Sequence, residues 1–583
     1  MKVFRKIKVA LMALVGLFVV ASCGGETPTS QLTVTQTNPP KTTVTSTPTS
    51  APTSAPTSVP TSDPTPLVDK NKYSISGFAA GHISDFSVYE NTSAYRVVTT
   101  PEEFLQAIND AKYEYTNTYI EETNTVEQTL EKEGTVHVIE IANDLNLGYF
   151  KLSQEAKAFS FVKDYATNYS KYKDMGIYFS KMFEENGISQ ISIERVSNLM
   201  VYSKNGAKIT HAGFKLTSCD NVVFRNLSFD ELWQWEDSSV AQGINAIGDY
   251  DLFGWAYFKI SHVGYIWIDH CEFGKSYDGQ IDVANAVSNA NKGTAYRLAY
   301  GSDGNMGVSV TWCDFKGGSL DKDGYLYQMM QDLENDYQAG NKNALYYNAL
   351  RDLGLSVNQI LNGIAAPQKK GFLLGDQARY DENADEYSYN LKLKVSFGYC
   401  NFINFEDRIP KTRGGMIYLY NCNADSSLYQ KVRTILLTKG ISSKVGVQAG
   451  NATWKCAIVS QGFVCGQGGS VYAENSRFVG IASFIKNNDS GNSPELDGSY
   501  RIVNSYYECG DVKYTGSSSD PENLFPVVTS KPITTEGFNW HNDTNTQPFT
   551  PYLYQLEEVE SILNGEDGCG VITGKNLLNP NYN

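Results

Sequence analysis

Ile266-Trp-Ile-Asp-His-Cys271-Glu-Phe273 decides the fold, because its design returns along the chain. Val222-Val-Phe-Arg-Asn-Leu227-Ser-Phe229, Val308-Ser-Val-Thr-Trp-Cys313-Asp-Phe315 and Lys394-Val-Ser-Phe-Gly-Tyr-Cys400-Asn-Phe402 end in the same way. Val471-Tyr-Ala-Glu-Asn475-Ser476-Arg-Phe478 and Arg501-Ile-Val-Asn504-Ser505-Tyr-Tyr507 read as further members. In each, a short alternating run of β-branched and aromatic residues leads through a turn to an inward aromatic, the pattern of a strand with one buried face. Phe229, Phe273 and Phe315 stand 44 and then 42 residues apart and the next gap is far longer, so there are rungs without a strict period. Stacked coils explain this, since like residues lie over like while loops of any length leave at the corners. A propeller would also repeat strands but demands more regular spacing. The expected fold class is all-β, a single-stranded right-handed parallel β-helix, with Cys271, Cys313 and Cys400 in one inward column as small hydrophobes.

Ahead of the rungs, Thr99-Thr-Pro-Glu-Glu-Phe-Leu-Gln-Ala-Ile-Asn-Asp-Ala predicts a capped helix: Pro101 opens it, acids fill its first turn, and Phe104, Leu105 and Ile108 share a face. It is followed by the strand-like Val136-His-Val-Ile-Glu-Ile141. A helix placed there covers the otherwise open end of a stack. Two stretches break the ladder with helical spacing, about 152–186 and about 325–364, the second marked by Leu326, Met329, Met330 and Leu333. Both are expected as insertions packed outside the coil.

The N-terminus reads as an address. Lys2, Arg5, Lys6 and Lys8 precede an apolar run from Val9 to Ala21, too short for the ~20 residues a membrane span needs. Val20-Ala-Ser-Cys23-Gly-Gly resembles a bacterial lipobox, so 1–22 is expected as a lipoprotein signal peptide and Cys23 as the lipidated first residue. Residues 23–66 are rich in Thr, Pro and Ser, unable to bury apolar surface and held extended by proline, a stalk. The folded body is expected over 67–583, outside the cell and tied to a membrane through the lipid alone. Ten cysteines less Cys23 leave an odd number, against a complete disulfide framework. A net charge of −16 argues against nucleic acid or anionic lipid as partner. It does not exclude an acidic polysaccharide, because screening over ~8 Å lets a cluster such as Lys369, Lys370, Arg408, Lys411 and Arg413 act locally.

The chemistry gathers at Tyr277-Asp-Gly-Gln-Ile-Asp282 and Arg408-Ile-Pro-Lys-Thr-Arg413-Gly-Gly. Paired aspartates offer hard oxygens to calcium, and arginines around a proline offer cations to a uronate. With Ser197-Asn-Leu-Met-Val, Asn221-Val-Val-Phe-Arg-Asn-Leu, Trp267-Ile-Asp-His270 and Lys370-Gly-Phe-Leu-Leu-Gly375, these stretches resemble the pectate lyases of polysaccharide lyase family 1 from about Tyr95 to Phe478. The resemblance implies a monomeric enzyme that cleaves α-1,4-polygalacturonate by β-elimination with Ca2+. It implies Arg408 as the base, Lys370 and Arg413 as holders of uronate carboxylates, and Asp278 and Asp282 as calcium ligands. An arginine is an unusual base, since its free side chain loses a proton only above pH ~12. Neutralising it costs about 1.4 kcal/mol for each pH unit, so neighbouring cations and an alkaline optimum are expected.

The family places a further aspartate after a tryptophan, where Trp255-Ala256-Tyr257 has alanine; Asp251, or Asp249, is the candidate replacement. Residues four apart on a straight strand are ~13 Å apart, so Asp278 must bend back at Gly279 to meet Asp282. The plainer reading of Asp278 is a turn residue before glycine. Asp269 and His270 look catalytic by type, yet beside Cys271 they are expected to form a structural network near the site. Two alternatives stay open: a pectin lyase acting on methylated polymer with little need for calcium, and a non-catalytic glycan-binding β-helix.

Overall fold

The computed structural model describes residues 70–581 apart from 121–124, 149–176, 179, 181–186, 237–253, 285–306, 376–379, 382–385, 388–392, 443–444, 450–451, 455–457, 488–497 and 516–548. Cys23, Asp249, Asp251, the stretch 1–66 and most of the expected 152–186 insertion therefore lie outside the described residues.

Three parallel sheets run the length of the body, two of ten strands and one of eight, and the chain visits them in turn. One circuit is Phe258–Ser261, Tyr265–Asp269 and Glu272–Phe273; the next is Ile281–Val283, Gly307–Thr311 and Asp314–Phe315. Each strand pairs in parallel with its counterpart one circuit on, as Tyr265 does with Gly307 and Phe273 with Phe315. This is the right-handed parallel β-helix expected from the rungs, and every rung quoted above lies on it.

The turn after each rung explains why the rungs look alike. Asn226, His270, Trp312, Tyr399, Asn421, Asn475 and Asn504 all have φ between 42° and 58°. This left-handed conformation is tolerated by Asn but costs other residues about 1–2 kcal/mol. Where the residue is not Asn, stacking offsets the cost: the rings of Tyr73, His270, Trp312 and Tyr399 follow one another at 6.1, 5.9 and 4.6 Å. The residue after the turn points inward, giving a buried column of Cys271, Cys313, Cys400 and Cys422 with free thiols. Two positions on, Phe229, Phe273, Phe315 and Phe402 stack at 5.1, 4.6 and 5.5 Å.

The helix Pro101–Ala111 forms as expected, with Thr100 capping it and Phe104, Ala107, Ile108 and Ala111 buried. Phe104 lies edge-on to Phe214 at 6.3 Å, so the helix closes that end of the apolar stack. The later insertion is helical over Tyr325–Gln338, Leu345–Asp352 and Val357–Ile360, and it buries Leu326, Met329, Met330 and Leu333. The strand near 136–141 begins later than read, at Val138.

The outward sides of the sheets differ. On the ten-stranded sheet containing Tyr265–Asp269, outward Met200, Val223 and Trp267 are sealed by Phe86, Ile83, Ile572 and Leu577 from the two ends of the body. Arg225, wholly buried there, donates to Asp269 Oδ2 at 2.8 Å, to Leu577 O at 2.7 Å and to Tyr73 O at 2.5 Å. Among the described residues, the eight-stranded sheet carries no such apolar cover.

Candidate active site

Asp278, Lys370 and Arg408 come from three different circuits yet occupy one corner of the coil, just ahead of the eight-stranded sheet. Backbone bonds tie the layers: Asp278 N donates to Trp255 O at 2.9 Å, Gln280 N to Gly371 O at 2.7 Å, and Gly371 N to Asp407 O at 2.9 Å. Gly371 is required because a Cβ there would stand 2.3 Å from Arg408 O. Gln368, fully buried, fixes the corner from beneath, its amide donating to Asp278 O at 2.7 Å and to Lys370 O at 2.8 Å. No motif pointed to Gln368; a lone amide outside the rungs carries no sequence signal.

On the sheet itself one outward column reads Lys215, Lys259, Asp282, Leu373, Lys411, Val464, Lys486 in successive registers. Adjacent members are ~4.8 Å apart. Asp282 therefore stands beside the corner, and the chain does bend at Gly279: a Cβ on that residue would lie 2.7 Å from Asp282 Oδ1. Lys370 Nζ meets Asp278 Oδ1 at 3.1 Å. Lys259 is also at hand, since a Cβ on Gly254 would be 3.4 Å from its Nζ and 3.8 Å from Asp278 Oδ2. Arg408, in the left-handed region at φ 67°, holds its Nε 3.8 Å from Asp407 Oδ2.

The convergence shifts the ionisation of the groups involved. Burial pushes Asp282 up to about 7, helped by the charge of Asp278 and opposed by Lys259 and Arg408. Burial raises Asp278 too, against Arg408 and Lys259. Lys411 is driven down to about 8 by burial and then by Arg408 and Arg413. Cations thus do stand beside Arg408, and so do three carboxylates.

Four of the residues read from sequence, Asp278, Asp282, Lys370 and Arg408, meet here, and Arg413 follows the end of the strand Lys411–Thr412. Lys369 does not join the patch. It is buried, and its charge acts on buried Glu406. Asp269 and His270 do form a network, with Arg225 and Thr311, but on the covered sheet rather than near Asp278.

The pair Asp278 and Asp282 suits a hard divalent cation: both are oxygen donors, and Asp282 Oδ1 is buried without a hydrogen-bond partner. Among the described residues no group of three His, Cys, Asp or Glu converges as a metal site; those residues offer the two carboxylates of Asp278 and Asp282.

The chain is similar to pectate lyases in sequence, and its coil is similar to theirs in fold. Pectate lyase B of Paenibacillus amylolyticus is 28% identical over 407 residues, 69% of this chain and 85% of that protein. The pectate trisaccharide-lyase of Thermotoga maritima is 26% identical over 155 residues, 27% of this chain and 34% of that protein. Among solved structures, a pectate lyase from Paenibacillus sp. 0602 superposes with a TM-score of 0.62 at 24% identity, covering 88% of this chain and all of that one. No protein-family model matches the sequence.

Proposed function

We propose that this protein is a calcium-dependent pectate lyase that cleaves α-1,4-polygalacturonate by β-elimination to 4,5-unsaturated oligogalacturonides. The observation that carries the reading is the meeting of a guanidinium, an ammonium and two carboxylates at one corner, beside a sheet that among the described residues carries no apolar cover. Lyase relatives in sequence support it.

Arg408 takes the C5 proton of a bound uronate. The C5–H electron pair becomes the C4–C5 double bond, the C4–O bond breaks, and the departing oxygen is protonated by solvent. Lys370 and Arg413 neutralise uronate carboxylates and hold the ring in place. Asp278 and Asp282 would hold calcium, which when bound would supply charge withdrawal from the uronate and so a more acidic C5 hydrogen. Lys411 and Arg413 raise the local positive potential around Arg408, which favours loss of its proton and an alkaline optimum. A rate maximum on the acid side of neutrality would argue against Arg408 as base.

An anionic polymer also fits the cationic column of Lys215, Lys259, Lys411 and Lys486 in a chain of net charge −16. The lipobox-like N-terminus and stalk support, in this reading, a lipid anchor at the bacterial surface, and the enzyme is read as a monomer. The test is incubation with polygalacturonate, with and without chelator, following ultraviolet absorbance of the unsaturated product. Product that appears with calcium and vanishes with EDTA supports the proposal. Full activity in EDTA points to a pectin lyase, and no product under any condition to a binding protein.

A further inference from the structure

Resting on that reading, we infer that Glu406 is a positioning residue for the reaction, its buried carboxylate paired with Lys369 so that the loop carrying Arg408 is locked onto the loop carrying Lys370. Both members of the pair are buried, whereas Lys370 and Arg408 in the same two loops are partly exposed. Register sets the pair side by side. Gln368 bridges Phe405 in parallel, so the next residue of each loop, Lys369 and Glu406, meets its counterpart across circuits ~4.8 Å apart. Burial raises Glu406 to about 8, opposed first by the charge of Lys369 and then by Lys275, and helped by Asp407. The carboxylate is therefore charged on the alkaline side, where an arginine base is expected to work.

Lys275 serves the third loop. It stands three residues before Asp278, and its Nζ donates to Ala365 O at 2.5 Å while lying over the Trp233 ring at 4.3 Å. Ala365 closes the turn Leu361–Ala365, through which the helical insertion runs on into Gln368, Lys369 and Lys370. Each active loop thus carries a buried ionisable side chain behind its outward one: Lys275 behind Asp278, Lys369 behind Lys370, Glu406 behind Arg408. Such a cluster costs stability. Glu406 Oε1 is buried without a hydrogen-bond partner, and apolar side chains of similar volume commonly make a corner that is as stable or more so. What the pair adds is a fixed relation between two chains. Gly371 N donates to Asp407 O and Phe372 N to Arg408 O, both at 2.9 Å, directly beside the pair, so losing it loosens these bonds and lets Arg408 shift against Lys370.

Glu406→Gln keeps the shape and removes the charge. At alkaline pH its kcat on polygalacturonate is expected to fall by about 10–100-fold with KM within about two-fold, because the substrate's contacts remain and the base is displaced. Lys369→Met should do the same, and Glu406→Asp, which keeps the charge, should lose less. Hydrogen exchange followed by mass spectrometry adds a reading that needs no turnover: in Glu406→Gln the segment 369–374 should exchange at least about 10-fold faster while Tyr265–Asp269 keeps its wild-type rate. Should Glu406→Gln not fold, Lys369→Met carries the same two readings. A folded variant with wild-type kcat, or with unchanged exchange over 369–374, overturns the inference. So does acceleration shared by the whole coil, which would make Glu406 a general stabiliser. Wild type that forms no unsaturated product sinks the lyase reading, and exchange over 369–374 still decides whether the pair locks the two loops.

Discussion

The covered and the open outward faces of this coil belong to the same circuits and enclose the same apolar interior, yet they have opposite fates. On the covered face the outward positions are Met200, Val223 and Trp267, and both ends of the body return to seal them. On the open face the equivalent positions are Lys215, Lys259, Asp282, Leu373, Lys411, Val464 and Lys486, five of them charged. Inward residues fix the stack, because they alone meet their neighbours in every layer. Outward residues are free to differ, and there the chain either attaches its ends or does chemistry.

Substitutions on the two faces should separate cleanly. The largest effect is expected from Arg408→Lys, which removes the proposed base: product release falls by about 10²–10⁴-fold while the melting temperature holds. Trp267→Ala is its opposite. That ring donates to Thr311 Oγ1 at 2.7 Å and lies under the Arg225 guanidinium at 4.5 Å. Its loss should cost about 3–5 kcal/mol of stability in denaturant titrations and leave kcat/KM of the folded enzyme within a few-fold. A Trp267→Ala protein with intact stability and lost activity would dissolve the distinction between the faces.

The smallest expected effect is a pH slope. Lys411 holds its proton only to about 8 in the folded state, whereas an unfolded lysine holds it to ~10.4. Between these values the unfolded chain binds the extra proton, so stability rises with pH, by at most about 1.4 kcal/mol per pH unit. Below the lower value the full cost of burying a charged Lys411, and of crowding it against Arg408, Arg413 and Lys486, is present. Lys411→Met should remove this slope in melts from neutrality to about pH 10 and stabilise the protein most at the lower end. An unchanged slope would mean that Lys411 is neither buried nor crowded by the other cations.

The covered face explains why much of the fold was legible. Its strands carry alternation, a left-handed turn residue and an inward aromatic, three signals in eight residues, as in Ile266 to Phe273. Where one signal drops out the rung is lost to reading: Met416–Tyr420 is a full member of the same sheet, with Asn421 at the turn and Cys422 inward, but Ala424 replaces the aromatic. The hairpin of Glu114–Ile120 and Thr125–Lys132 and the helix Ser427–Thr438 carry no rung signal and were not expected. On the open face, Asp278, Asp282, Lys370 and Arg408 were legible through short motifs. Lys259 was not, because Tyr257-Phe-Lys-Ile-Ser looks like any half-exposed strand until register sets it beside Asp282. The reach of the ends over the covered sheet joins residues some 350 positions apart, such as Arg225 and Leu577, and leaves no local trace.

The central claim is that Arg408 and the carboxylate pair act on one sugar ring. A double-mutant cycle in kcat/KM on polygalacturonate, using Arg408→Lys, Asp282→Asn and the two together, tests it most directly. Groups that serve one transition state lose their effect together, so the double variant should be little worse than the poorer single one. Losses that multiply, each substitution acting in full in the presence of the other, would mean that guanidinium and carboxylates work at separate places, and the shared site would be refuted.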